Sequence, residues 1–237
     1  MPRIEIFEGM RVRYDERGPK DGRALVLAHG FGVSLEMWTP QMAALSAEYR
    51  LITWDARGHG GSSAPEDSET YTMPALAADL RAILEKLDAV DGAVVGGMSF
   101  GGQIALQYAV DYTEGIHALI LSDSTTRGPT PPDTIFRPSE DSPGAVGSMY
   151  AMRTRPDLTP DLPNLKIPTL VIVGDHDEMI LSGLDRLIDG LPHRRVVRLA
   201  NCFHGTSGQR PTAWNTAVLE FLEDVDEEGA LGEDIVR

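Results

Sequence analysis

Residues 92–110 read "GAVVGGMSFGGQIALQYAV", and no other stretch limits the fold as much. An apolar run ends in two glycines, a methionine, one serine and two more glycines, and an amphipathic pattern begins at once. A continuous apolar run suits a strand buried on both faces, and a strand that passes straight into a helix belongs to an alternating α/β architecture. Ser99 then has two readings. It is either a cap on an ordinary strand-to-helix turn or a nucleophile held at the corner.

The rest of the chain repeats the alternation. "IEIF" and "RVRYDE", separated by "EG", read as an antiparallel hairpin; "ALVLAH", "RLITWD", "GAVVGG", "ALILSD", "TLVIVG" and "RVVRLA" follow as strands. Helical patterns fall at about 36–46, 72–89, 100–112, 181–190 and 211–223. The expected fold class is α/β, a mostly parallel eight-stranded sheet with an antiparallel N-terminal hairpin and helices on both faces. With 237 residues, one large domain accommodates all of it.

Residues 124–164 interrupt this rhythm with eight prolines and a single helical candidate, "SPGAVGSMYAMR". A forty-residue insert in a compact domain commonly forms a lid or binding loop. The expected organisation is therefore a core over 1–123, a short lid over 124–164 above the C-terminal edge of the sheet, and a second core segment over 165–225. The acidic segment 226–237 is expected to be a solvated tail.

Charge narrows the function. The formal net charge is −15 and lysine occurs only at positions 20, 86 and 166, so the cationic surface required to neutralise nucleic-acid phosphates is missing. An anionic membrane surface would also repel the chain. No apolar run is long enough to span a bilayer, and "MPRIEIFEGM" does not resemble a signal peptide. A cytoplasmic location is expected, and the single cysteine, Cys202, agrees with a reducing compartment.

Ligands of open parallel sheets collect beyond the C-terminal ends of the strands. Three such ends carry complementary groups: Ser99 after "GAVVGGM", Asp175 and Asp177 after "TLVIVG", and Cys202 and His204 after "RVVRLA". Glycines at 97 and 101 would remove side chains that collide in a sharp turn, leaving the Ser99 hydroxyl projecting above the sheet. Serine is a poor nucleophile by itself. It needs a neutral imidazole to take its proton and a carboxylate to orient that imidazole.

Together, "LAHGFG", "WDARGHGGSS", "GMSFGG", "IPTLVIVGDHD" and "CFHGTSGQRP" resemble a serine-dependent member of the α/β-hydrolase fold family, in its small esterase, perhydrolase and enol-lactonase-like branch with a short lid. The resemblance runs nearly end to end. It implies Ser99 as nucleophile, His204 as general base and acid, and Asp177 as the orienting carboxylate, with Asp123 as an alternative acid. It also implies an oxyanion hole formed by the backbone N–H groups of Phe31 and Phe100, and loop-shaping roles for His29 and His59. Trp38, Met179 and Phe203 are weaker candidates for substrate contact, Trp38 being the more suited to packing beneath the oxyanion loop.

The resemblance implies hydrolysis of a small carboxylic ester through an acyl-serine intermediate, with no cofactor and a small-molecule ester or related acyl substrate as partner; oligomeric state is left open. Lactones, thioesters, carbon–carbon bonds and perhydrolysis remain alternatives on the same three residues, as does a ligand-binding receptor without turnover. Relatives that open epoxides or remove halide carry aspartate where this chain has Ser99. Cys202 lacks a glycine-framed corner and reads as a small buried side chain. Asp175, His176 and Asp177 lie on one short loop and supply too few separated ligands for a metal.

Overall fold

The computed structural model describes residues 1–126, 142–228 and 234–236. Among these residues nine strands form one sheet: β1 (Arg3–Phe7), β2 (Met10–Arg17), β3 (Ala24–Ala28), β4 (Arg50–Trp54), β5 (Ala93–Met98), β6 (Ile116–Ser122), β7 (Thr169–Gly174), β8 (Arg194–Leu199) and β9 (Ile235–Val236). Their spatial order is β1-β2-β4-β3-β5-β6-β7-β8-β9. The β1–β2 and β2–β4 pairs are antiparallel, and from β4 onward every neighbouring pair is parallel. The eight expected strands and the N-terminal hairpin are present.

The helices are α1 (Thr39–Leu45), α2 (Met73–Lys86), α3 (Phe100–Asp111), α4 (Pro143–Thr154), α5 (Glu178–Gly190), the short α6 (Thr206–Gln209) and α7 (Pro211–Glu228). Successive strand side chains point to opposite faces, and the core divides accordingly. Val26 and Ala28 of β3, Val95 of β5 and Val171 of β7 join α2, α3 and α5 on one face. Leu25 and Leu27, Val94, and Leu170 and Ile172 join α1 and α7 on the other. The uninterrupted apolar runs are thus explained by burial on both sides of the sheet.

The structure differs from the sequence reading in three places. The segment expected as one helix over 36–46 opens with a 3-10 turn, Leu35–Trp38, before α1 begins at Thr39 and Pro40; proline suits the first turn of a helix. The helix expected from residue 181 starts three residues earlier, at Glu178. The tail is not wholly solvated, because Ile235 and Val236 pair with Val197 and Arg198, and Asp234 Oδ1 accepts the Val196 N–H at 2.9 Å.

Within the expected lid, residues 127–141 lie outside the described residues. The helical candidate forms α4, and a 3-10 turn follows at Leu162–Asn164. Helix α4 sits on the core by backbone contact. A Cβ on Gly144 would run into the Gly58 backbone, and one on Gly147 would run into the Tyr71 ring.

Candidate active site

Ser99 stands between β5 and α3 with φ 55° and ψ −112°. A non-glycine residue in this region is strained by about 1–3 kcal/mol, and the surrounding structure must impose it. Two anchors do so: Ser99 N–H donates to Ser122 O at 2.8 Å, and Ser124 Oγ donates to Ser99 O at 3.0 Å. The flanking glycines permit the turn. A Cβ on Gly97 would strike the Gly101 backbone, and one on Gly101 would strike the carbonyl of Ala28 at the end of β3.

From the β8–α6 loop, His204 Nε2 reaches Ser99 Oγ at 2.9 Å. On the other side of the ring, Nδ1 lies 2.8 Å from Asp177 Oδ2, a carboxylate that is buried at the N-terminus of α5. These contacts assign the tautomer: Nδ1–H donates to Asp177, and the bare Nε2 accepts the Ser99 hydroxyl. Burial pulls the His204 pKa down, but the Asp177 hydrogen bond and the charges of Asp177 and Asp123 outweigh it, and the net shift is upward.

Gln209 holds the histidine loop from both sides, its Oε1 accepting the Phe203 N–H at 3.1 Å and its Nε2 donating to His204 O at 2.7 Å. Asp175 is not part of the hydrogen-bonded chain. Its Oδ1 accepts the Cys202 N–H at 3.1 Å and so joins the β7 and β8 loops. Cys202 is fully buried with its thiol pKa raised by burial, which opposes thiolate formation. Asp123, the alternative acid, accepts from Thr206 and Ser122, whereas His204 Nδ1 is engaged by Asp177.

The loop after β3 carries Phe31, whose ring packs 6.4 Å from that of Phe100, the first residue of α3. The first N–H groups of a helix have no intrahelical acceptor, so the Phe100 amide points from the helix start beside Ser99. Two neutral histidines shape the loop. His29 Nε2 accepts the Ala56 N–H at 3.0 Å, leaving Nδ1–H to donate to Gly30 O at 2.7 Å; burial and the neighbouring His59 push its pKa down to about 4. His59 Nε2 accepts the Gly32 N–H at 3.2 Å, and burial lowers its pKa too.

Asp55 supports the same loop from below. It accepts the N–H groups of Leu35 and Gly61 at 2.8 Å each and pairs with Arg13, which also grips Glu36.

Of the candidate substrate contacts, Trp38 is corrected. It is wholly buried, with its ring 5.5 Å from Trp214 of α7, and no substrate can reach it there. The inward face of the Leu35–Trp38 turn packs on α7, which is the role beneath the oxyanion loop that the sequence also allowed. Met179 and Phe203 are exposed at 40% and 61%, beside Asp177 and His204 respectively. Thr206 and Gln209 lie inside the stretch "CFHGTSGQRP" that carries the family resemblance, but the anchoring by Thr206 and the double clamp of Gln209 were not legible there, since a motif records positions and not hydrogen bonds. Among the described residues no group of three His, Cys, Asp or Glu side chains could hold a metal, and no helix is long and apolar enough to cross a membrane.

A hydroxyl on a strained strand-to-helix corner, an imidazole and a buried carboxylate thus form one hydrogen-bonded chain at the C-terminal end of a mostly parallel sheet. Residues 23–155 match the family model for the α/β hydrolase fold, and the chain belongs to that family. It is 24% identical to the putative 2-succinyl-6-hydroxy-2,4-cyclohexadiene-1-carboxylate synthase of Bacillus subtilis, over 94% of this chain and 98% of that protein. It is 31% identical to 3-oxoadipate enol-lactonase 1 of Acinetobacter baylyi over 51% of this chain, which spans 44% of that relative. Among solved structures, the enol-lactonase of Burkholderia xenovorans LB400 superposes with a TM-score of 0.84 at 24% identity, covering 94% of this chain and all of that one.

Proposed function

We propose that the protein is a serine hydrolase that cleaves small carboxylic esters through an acyl-serine intermediate. The observation that carries this reading is the 2.9 Å contact between Ser99 Oγ, on its positive-φ corner, and His204 Nε2. Ser99 attacks the carbonyl carbon while its proton passes to Nε2, and Asp177 stabilises the imidazolium. The amides of Phe31 and Phe100 receive the oxyanion; each such donor contributes about 2.7–4 kcal/mol to lowering the barrier. His204 then gives its proton to the departing alkoxide. In the second half, the same imidazole takes a proton from water, and the resulting attack on the acyl-enzyme frees the acid and restores Ser99.

The test is the Ser99→Ala protein on chromogenic short-chain esters. A fall in kcat of about six orders of magnitude is expected; turnover near that of the wild type would refute the reading. Since Nε2 must be unprotonated to act, kcat/KM falls as pH drops through the His204 pKa, which Asp177 and Asp123 hold above the ordinary imidazole value. A lactone is a cyclic ester and fits the same steps, and the similarity to enol-lactonases favours including lactones as substrates. A panel of esters and lactones, assayed with and without hydrogen peroxide as the acyl acceptor, ranks these outcomes.

A further inference from the structure

One carboxylate beside the site has no part in the steps above. Asp123 follows β6, is fully buried, and adopts φ 49°. Its Oδ2 accepts three hydrogen bonds, from Thr206 N at 2.9 Å, Thr206 Oγ1 at 2.7 Å and Ser122 Oγ at 3.1 Å. Ser122 Oγ is itself fixed by Trp214 Nε1 at 3.0 Å. The other oxygen, Oδ1, has no hydrogen-bond partner among the described residues.

Thr206 lies two residues after His204, and Gly205 between them takes the left-handed conformation with φ 90°. Whatever holds Thr206 therefore sets the direction from which the imidazole enters the site. Anchoring by itself does not call for a charge. A neutral amide could accept the same bonds without the cost of a dehydrated carboxylate with one unpaired oxygen. The charge thus has to be accounted for separately from the anchor.

We propose that Asp123 is a positioning residue for His204: it fixes the histidine loop through Thr206, and its buried negative charge stabilises the imidazolium that forms when Ser99 gives up its proton. The second half of this statement rests on the acyl-transfer reading above. The charged groups facing this centre are Asp123 after β6, Asp177 before α5 and His204 itself, while Asp175 and Arg210 act on the adjoining Cys202. Burial lifts Asp123 to about 6, against the pull of the Thr206 bonds and the His204 charge, and Asp177 adds to the rise. Above that pH Asp123 is ionised, which is also where His204 serves as a base.

The test pairs two variants. Asp123→Asn keeps the side-chain volume and an acceptor for Thr206 but removes the charge, whereas Thr206→Val keeps the charge and removes the Oγ1 contacts with Asp123 and Ser122. His204 is titrated by NMR in the Ser99→Ala background, where no turnover is needed, and the pH profile of kcat/KM is measured with Ser99 intact. In Asp123→Asn the His204 midpoint and the acid limb of kcat/KM both move to lower pH. Plateau kcat falls about tenfold, equivalent to about 1.4 kcal/mol. In Thr206→Val the rate falls and the midpoint stays.

A folded Asp123→Asn protein with an unmoved midpoint overturns the proposal and leaves Asp123 a structural anchor. Should that variant not fold, Asp123→Ser, which also offers an acceptor without a charge, carries the same test. A shifted midpoint together with full ester turnover by Ser99→Ala would uphold the coupling and refute the acyl-transfer reading.

Discussion

The β5–α3 corner and the β8–α6 loop deliver the two ends of one 2.9 Å hydrogen bond, and they are held by different means. At the corner the determinants are missing side chains. Gly97 and Gly101 let backbone approach backbone, and Ser99 keeps an unfavourable φ because the chain on either side leaves no alternative. Around the histidine the determinants are polar groups: Asp123, Thr206, Ser122, Asp175 and Gln209 each hold a specific N–H, C=O or hydroxyl. Sterics tolerate no added volume and are indifferent to protons. Buried polar bonds tolerate small changes of shape and respond to pH.

Three substitutions test this contrast, the largest effect first. Asp177→Asn removes the carboxylate that fixes the His204 tautomer, and kcat on an ester substrate is expected to drop about 10⁴-fold with little loss of fold. A drop under tenfold would mean that another group orients the imidazole. Gly101→Ala drives a Cβ into the Ala28 carbonyl; the expected cost is about 1–3 kcal/mol or more, read by urea denaturation, and it should be the same at pH 5 and pH 8. A cost that changes with pH would break the division between a steric corner and a titrating loop.

For Asp123→Asn the effect on stability depends on pH. The folded-state pKa of about 6 lies above the ordinary carboxylate value of 3.8. Such a group favours folding below pH 3.8, and that contribution is lost as pH rises through 6. The gap corresponds to about 3 kcal/mol. The amide has no such dependence, so the stability of the variant relative to wild type should rise between pH 4 and pH 7, by up to ~3 kcal/mol. Parallel stability curves over that range would show that Asp123 is not strained by its charge.

The contrast also explains what could be read from the sequence. The strands were legible because burial on both faces demands unbroken apolar runs, and "VVGGMSFGG" was legible because a collision-free corner demands glycine. An acid and an imidazole were expected at strand ends because the chemistry demands those residue types, and it was the family resemblance that singled out Asp177 and His204 among the candidates. The polar network was not legible. Thr206 donates twice to Asp123, 83 positions away, and Gln209 clamps Phe203 and His204 close by; the sequence around them does not record these contacts. Trp38 shows the same limit from the other side: a large aromatic near a site reads alike whether it lines the pocket or packs beneath it, and only its contact with Trp214 decides.

The glycine seat of α4 has a consequence for how the region beyond β6 can change. Gly144 and Gly147 press against Gly58 and Tyr71 with no room for a methyl group, while Val146 on the same helix is exposed. Divergence by mutation therefore meets a helix with one frozen face and one exposed position at Val146. A new side chain at Val146 does not unseat the helix, so this element can be rewritten from outside while its attachment to the domain is preserved.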